Sequence, residues 1–226
     1  MKTKQLSVLI VLFTLFIGSP SYALSNDPLG KIFISKTFGD FSNCGPISAL
    51  MLAKYINADF SNDDLLTNIK KARKITAANK NIDNRWWRMR DIKKYLQHMS
   101  VKYDEVIMTD STSIEDRKEH IINALHQGSA VLINVNMNHL PQGSEVGKPY
   151  LTFPLLGAWG HFLVIVGYEE VDGKTVFEIH DSYTKKGKNR LFYANHIMNS
   201  IDRYNREVLF VKNTRTMDNL WASAEW

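Results

Sequence analysis

Cysteine occurs once in the 226 residues, at Cys44. A chain with one cysteine cannot close an internal disulfide, so its fold must rest on an apolar core. Metal chemistry is also poorly provided for. The seven histidines are scattered, no Cys/His cluster has ligand spacing, and no metal is expected. Charge of one sign is scarce: 28 Lys and Arg against 23 Asp and Glu leave a formal +5. The one dense basic stretch, Lys70-Lys71-Ala72-Arg73-Lys74, falls at helical spacing and reads as a solvated face, so no nucleic-acid partner is expected. Internal repeats and low-complexity tracts are absent. Beyond residue 23 no apolar run is long enough to cross a bilayer.

The first 23 residues have a different character. Lys2 and Lys4 give a positive start, Leu6 to Ile17 an apolar core too short for a membrane span, and Gly18 and Pro20 a break. Ser21-Tyr22-Ala23 then offers small residues at the −3 and −1 positions of a cleavage site. The expectation is an export signal over 1–23, cut after Ala23. The mature chain, 24–226, would be one domain of ordinary size, in the periplasm or outside the cell.

Within that chain, periodicity divides the sequence in two. Helices are expected at Pro46 to Asn57, Asn62 to Arg73, Trp86 to Met99 (with Trp87, Ile92, Tyr95, Leu96 and Met99 as its apolar stripe), and after the Ser113 cap to near Gly128. Strands are expected at Ala130 to Val135, His161 to Tyr168, Thr175 to His180, Leu191 to Tyr193 and Glu207 to Val211, with a short helix near Ile197 to Tyr204. The run from His161 is nearly all apolar and reads as buried on both faces. Asp172-Gly173 is a hairpin turn signal. Helices followed by an antiparallel sheet make the fold class α+β. Asn138 to Trp159 has little periodicity, and so long a segment is expected to border a functional site.

The surroundings of Cys44 suggest what it is for. Gly45-Pro46 follows it, and proline suits the first turn of a helix. Cys44 therefore sits at the mouth of a helix that is apolar nearly all round, hence central and buried. A helix start stabilises a thiolate by about 1 kcal/mol, or roughly one pH unit. A neighbouring histidine that charges as the thiol ionises can bring the thiol to about 3–4. His161, after Gly160 and at the head of the apolar strand, is the candidate base. Asp181 ends the next strand and, in a hairpin, can come beside His161 to orient it. The register decides this, since a one-residue slip turns Asp181 away and offers His180 instead.

Three stretches together resemble the papain-like cysteine peptidases: NCGPISALML at Asn43 to Leu52, AWGHFLVIVGYEE at Ala158 to Glu170, and FEIHDSY at Phe177 to Tyr183. They are most similar to the bacteriocin-processing group, which cuts leader peptides after a double glycine, and its soluble relatives. ALHQGSAVLINV, Ala124 to Val135, resembles the helix–Gly–strand unit before the histidine strand in that group. The resemblance implies a papain-like fold with the Cys-bearing helix on an antiparallel sheet. It also implies a Cys44–His161–Asp181 triad, a peptide or protein substrate and no cofactor. The family usually places an oxyanion-hole glutamine six residues before the cysteine; here that residue is Phe38. Asn43, Thr37 or the Cys44 backbone N–H would have to serve. Losing one such donor costs about 100- to 1,000-fold in rate. Gly160, Trp159 and Trp86 are candidates for the substrate groove.

Plainer readings stand beside these. Free cysteine is often a small buried hydrophobe, His161 could be a core histidine with a satisfied ring, and Asp181-Ser182 favours a turn on its own account. His139 is an alternative base. At least one of Trp86 and Trp87 is expected in the core. The tail Leu220 to Trp226 could dock a partner or fold back. The other functions weighed are a peptidoglycan amide hydrolase, a transglutaminase-like acyl transferase and a non-catalytic binding protein.

Overall fold

The computed structural model describes residues 23–35, 41–56, 65–77, 86–147, 160–201 and 206–213. Helix α1 runs Cys44–Ile56, α2 Leu65–Thr76, α3 Met89–His98, α4 Ile114–His126 and α5 Ala194–Ser200. The strands are β1 Ala23–Ser25, β2 Asp104–Ile107, β3 Ser129–Asn136, β4 Gly160–Val171, β5 Lys174–His180, β6 Arg190–Tyr193 and β7 Glu207–Lys212. They form one antiparallel sheet in the order β2-β7-β3-β4-β5-β6, with β1 paired to β4. The class is α+β, as the periodicity indicates.

Alternation along β4 builds two cores. Phe162, Val164 and Val166 join the cluster that includes α1, α2 and α3, whereas Leu163 and Ile165 face α4 and α5 on the other side. The expectation that this strand is buried on both faces holds. The helices cover both faces rather than one. α4 belongs to the helical first half by sequence, but its buried Ile121 and Leu125 pack with α5.

Several expected boundaries differ: α2 runs on to Thr76 and β4 to Val171, and three helices start elsewhere. The first helix begins at Cys44 itself rather than at Pro46. The third starts at Met89 after a cap at Arg88, whose backbone N–H donates to the Asp91 carboxylate at 2.8 Å. The short helix near Ile197 starts earlier, at Ala194. β1 and β2 carry no readable pattern: β1 has three residues, and β2, DEVI, is mostly exposed. In the segment read as irregular, Asn138 to Trp159, residues 138–147 carry local structure. Two 3₁₀ turns, Met137–His139 and Gln142–Ser144, lead to the buried pair Ser144 and Glu145. Residues 148–159, including Trp159, lie outside the described residues, as do Thr37, Phe38 and the tail from 214.

The hairpin between β4 and β5 sets the relative placement of their side chains. Asp172 and Gly173 both have positive φ, 51° and 70°, which makes the two-residue turn suited to the strand twist. Pairing leaves the turn as Val171↔Lys174 and continues to Gly167↔Glu178, but then resumes as Ile165↔Ile179 and Val164↔His180. Val166 is thus an extra residue, a β-bulge. Gly167 sits in the bulge because β1 comes very close: a Cβ there would lie 2.2 Å from the Leu24 carbonyl oxygen.

Candidate active site

The bulge decides which side chains meet. In the register set by the turn alone, His161 and Asp181 would lie on opposite faces of the sheet, because successive side chains alternate. One extra residue in β4 brings them to the same face. His161 Nε2 lies 2.8 Å from Asp181 Oδ1, with His161 5% and Asp181 1% exposed. Tyr183 completes the group. Its backbone N–H donates to the same Oδ1 at 2.8 Å, and its ring meets the imidazole edge-on at 5.9 Å.

Cys44 reaches this pair from α1. With Nε2 engaged by Asp181, Nδ1 is the nitrogen left for the sulfur, and the thiol and imidazole are close enough to perturb each other's ionisation. Two features hold the helix start there. Ser48, one turn on, donates its hydroxyl to the carbonyl of Phe162 at 3.3 Å, beside His161 in the chain. Gly45 lets the helix settle on the tryptophan segment, since a Cβ there would stand 2.6 Å from Trp87 Cβ.

These contacts set the charges. Burial by itself raises the Cys44 thiol, but the hydrogen bond and charge of His161, with the backbone groups of Phe162 and Gly45, outweigh it and hold the thiol below its usual value. Burial likewise pulls His161 down, yet the charge and hydrogen bond of Asp181, and then the thiol, push it up to about 10. Asp181 is held below the usual carboxylate range despite burial, by His161, Arg190 and the Tyr183 N–H. The arrangement favours a thiolate beside an imidazolium, a nucleophile next to a proton donor.

His180 does not compete for this position. It is fully buried on the other pleat of β5, with Nε2 2.9 Å from Asp27 Oδ2, while Nδ1 accepts the N–H of Asn189 at 3.2 Å. Asp27 also accepts the N–H groups of Lys31 and Ile32, at 2.8 and 3.0 Å. His180 therefore clasps the N-terminal segment to the sheet. His139 is exposed on a 3₁₀ turn. Trp87 is buried and Trp86 is 67% exposed, so the pair divides between core and surface. Gly160 is exposed at the head of β4.

Arg73 corrects the reading of 70–74 as wholly solvated. Lys70, Lys71 and Lys74 are exposed, but Arg73 is 5% exposed. Its Nη2 donates to Ser42 Oγ at 2.8 Å and to Asn43 Oδ1. Asn43, 2% exposed, thus braces the start of α1 through its carbonyl, leaving only its amide end for an oxyanion. Arg73, Glu145, Gly187 and Arg190 carry no signal in a charge or glycine count. Only the strand register reveals Arg190, which stands opposite Ile179 on the face that holds Asp181.

Comparison with known proteins bears on the fold and the family. No curated protein matches the chain. Among solved structures, a protein from Bacillus anthracis described as a C39-like peptidase superposes with a TM-score of 0.52 at 12% identity, covering 84% of this chain and 98% of its own. At that identity the likeness concerns the fold.

Gly187 supplies a test of the loop after β5. Its carbonyl accepts the Asp181 N–H at 2.8 Å, and a Cβ on it would stand 1.7 Å from the Asp181 carbonyl oxygen. Gly187→Ala is expected to cost about 1–3 kcal/mol in urea unfolding and to slow alkylation of Cys44 at neutral pH as Asp181 shifts. A variant as stable and reactive as the native protein would contradict this close packing.

The Peptidase_C39 like family matches residues 29–208, the span that holds Cys44, His161 and Asp181, and the chain belongs to that family.

Proposed function

We propose that this protein is an exported cysteine peptidase that hydrolyses peptide or protein amides through Cys44, His161 and Asp181. Membership of a cysteine peptidase-like family supports peptidase chemistry in general terms. The observation that carries the finer reading is the buried His161–Asp181 pair, 2.8 Å apart, next to the thiol at the α1 start that it perturbs.

In this reading the Cys44 thiolate attacks the amide carbonyl carbon, and the carbonyl π electrons move onto oxygen. The Cys44 backbone N–H and the Asn43 amide are the candidates to receive that oxyanion. Collapse of the tetrahedral species breaks the C–N bond, and the His161 imidazolium gives its proton to the leaving amine. A thioester remains. Neutral His161 then takes a proton from water as it attacks, and collapse releases the acid and restores the thiolate–imidazolium pair. Asp181 orients the ring throughout. Gly160 and the exposed Trp86 are the groove candidates among the described residues.

Digestion of a proteome-derived peptide library, read by mass spectrometry, tests this reading. Native protein should give new termini, Cys44→Ala none, and Asp181→Asn a kcat lower by about 10²–10⁴. Cleavage of cell-wall sacculi alone would indicate an amide hydrolase, amine incorporation an acyl transferase, and no turnover a binding protein. The pH profile has a defined sign. Rate should rise as the lowered Cys44 thiol ionises and fall only as the imidazolium loses its proton, near 10. A profile that rises only above about 8.5, the ordinary thiol value, would contradict the ion pair. For export, the mature protein should begin at Leu24 by intact mass, which leaves Leu24 and Ser25 of β1 on β4; full-length chain in the membrane fraction would refute cleavage.

A further inference from the structure

We propose that Arg190 and Glu145 extend the site as positioning residues: Arg190 fixes the Asp181 carboxylate so that Oδ1 faces His161, and Glu145 anchors and neutralises Arg190. The inference rests on Cys44, His161 and Asp181 forming the reactive series.

The geometry is that of a buried fork held between two carboxylates. Arg190 Nη1 donates to Asp181 Oδ2, the oxygen His161 does not use. Its other side is bidentate on Glu145, Nε to Oε1 at 3.0 Å and Nη2 to Oε2 at 2.5 Å. The Arg190 and Glu145 side chains are only 11% and 6% exposed. The guanidinium also lies 4.9 Å from the centre of the Phe192 ring. Glu145 is fixed by the backbone: it bridges Phe192 across β6, and the next residue, Val146, donates its N–H to Leu191 at 2.9 Å. Both members are therefore held independently of Asp181. A planar fork with five fixed donors can set the rotation of a carboxylate, which the single flexible charge of a lysine cannot do.

Signs then alternate through five groups: thiolate, imidazolium, Asp181, Arg190, Glu145. Among the described residues Tyr183 also faces them, through its ring on His161 and its N–H on Asp181, and the Arg73 guanidinium lies against Ser42 and Asn43 beside Cys44. Asp27 and His180 pair with each other on the other pleat of β5. An unpartnered Arg190 charge would offset Asp181 and weaken its hold on the imidazolium. Glu145 cancels that charge, so Arg190 orients Asp181 without lowering the proton affinity of His161. The cost of burying Arg190 and Glu145 is met by their mutual pairing, and removing one leaves the other uncompensated.

Iodoacetamide alkylation of Cys44, measured against pH, reads two steps: thiolate formation beside the imidazolium, and later loss of the imidazolium proton. Glu145→Gln keeps the size and removes the charge. The site becomes more positive, so both steps should move down together, by up to about one pH unit. Arg190→Gln acts differently. It removes the fork that sets the rotation of the Asp181 carboxylate, so orientation is what is lost. The gap between the two steps should then narrow, whereas in Glu145→Gln it is kept. A merely structural network would lower the unfolding midpoint and leave both steps of the folded protein in place, which would overturn the inference. The unmodified protein provides a second measurement should the variants fail to fold: a clamped guanidinium gives separate Nη1 and Nη2 proton resonances, and a single averaged signal would equally overturn it. A native thiol that titrates near the ordinary value of about 8.5 and ignores His161→Ala removes the peptidase reading itself. A perturbed native thiol indifferent to Glu145 and Arg190 removes this inference alone.

Discussion

One extra residue in β4 governs the geometry of the site. The Asp172-Gly173 turn imposes a pairing that would put His161 and Asp181 on opposite faces, and the bulge at Val166 reverses that parity beyond Ile165. His161, Asp181 and Arg190 then share one face across three neighbouring strands. A bulge is a local defect in the ladder that would be lost if straight pairing were better. Here β1 sits against it, with Gly167 giving the close approach to Leu24 and Ser25. The N-terminal segment is in turn fastened by Asp27 to His180 and to its own backbone. The histidine next to Asp181 in sequence thus serves to secure the strand that lies on the bulge.

The second requirement is that α1, which packs on the opposite face with Phe162, Val164 and Val166, bring its first residue to the head of β4, where His161 stands. α1 does so because it is apolar on nearly all sides and can be wholly enclosed, and because its start is braced from several directions. Ser48 holds it to β4, Gly45 admits the Trp87 segment, and Arg73 ties Ser42 and Asn43 from α2. Electrostatics reinforces the same arrangement. Each charge has an opposite neighbour, and burial strengthens those pairings while making any unpaired member costly.

Much of this is legible in the sequence, for identifiable reasons. Helices and strands with a strong period, such as α4 behind its Ser113 cap or the apolar run of β4, can be read directly. So can the placement of Cys44 at a helix start, because Gly-Pro after a cysteine marks one. β1 and β2 cannot, since three residues carry no period and an exposed strand no apolar alternation. Arg73 looks solvated because its neighbours are lysines; its inward turn depends on where α1 begins. Glu145 lies in a segment without periodicity, and its partner Arg190 is 45 residues away. The choice between Asp181 and His180 depends on the bulge, a tertiary feature that turn chemistry alone contradicts.

The most direct test exploits the lone cysteine, because every alkylation event reports on Cys44. The iodoacetamide rate should be measured against pH for the native protein and for His161→Ala. A thiolate paired with an imidazolium should titrate below about 6.5 in the native protein and rise by more than about one pH unit when the ring is removed. A native thiol at or above about 8.5, unchanged by His161→Ala, would contradict the pair and leave Cys44 a structural residue at the mouth of a helix.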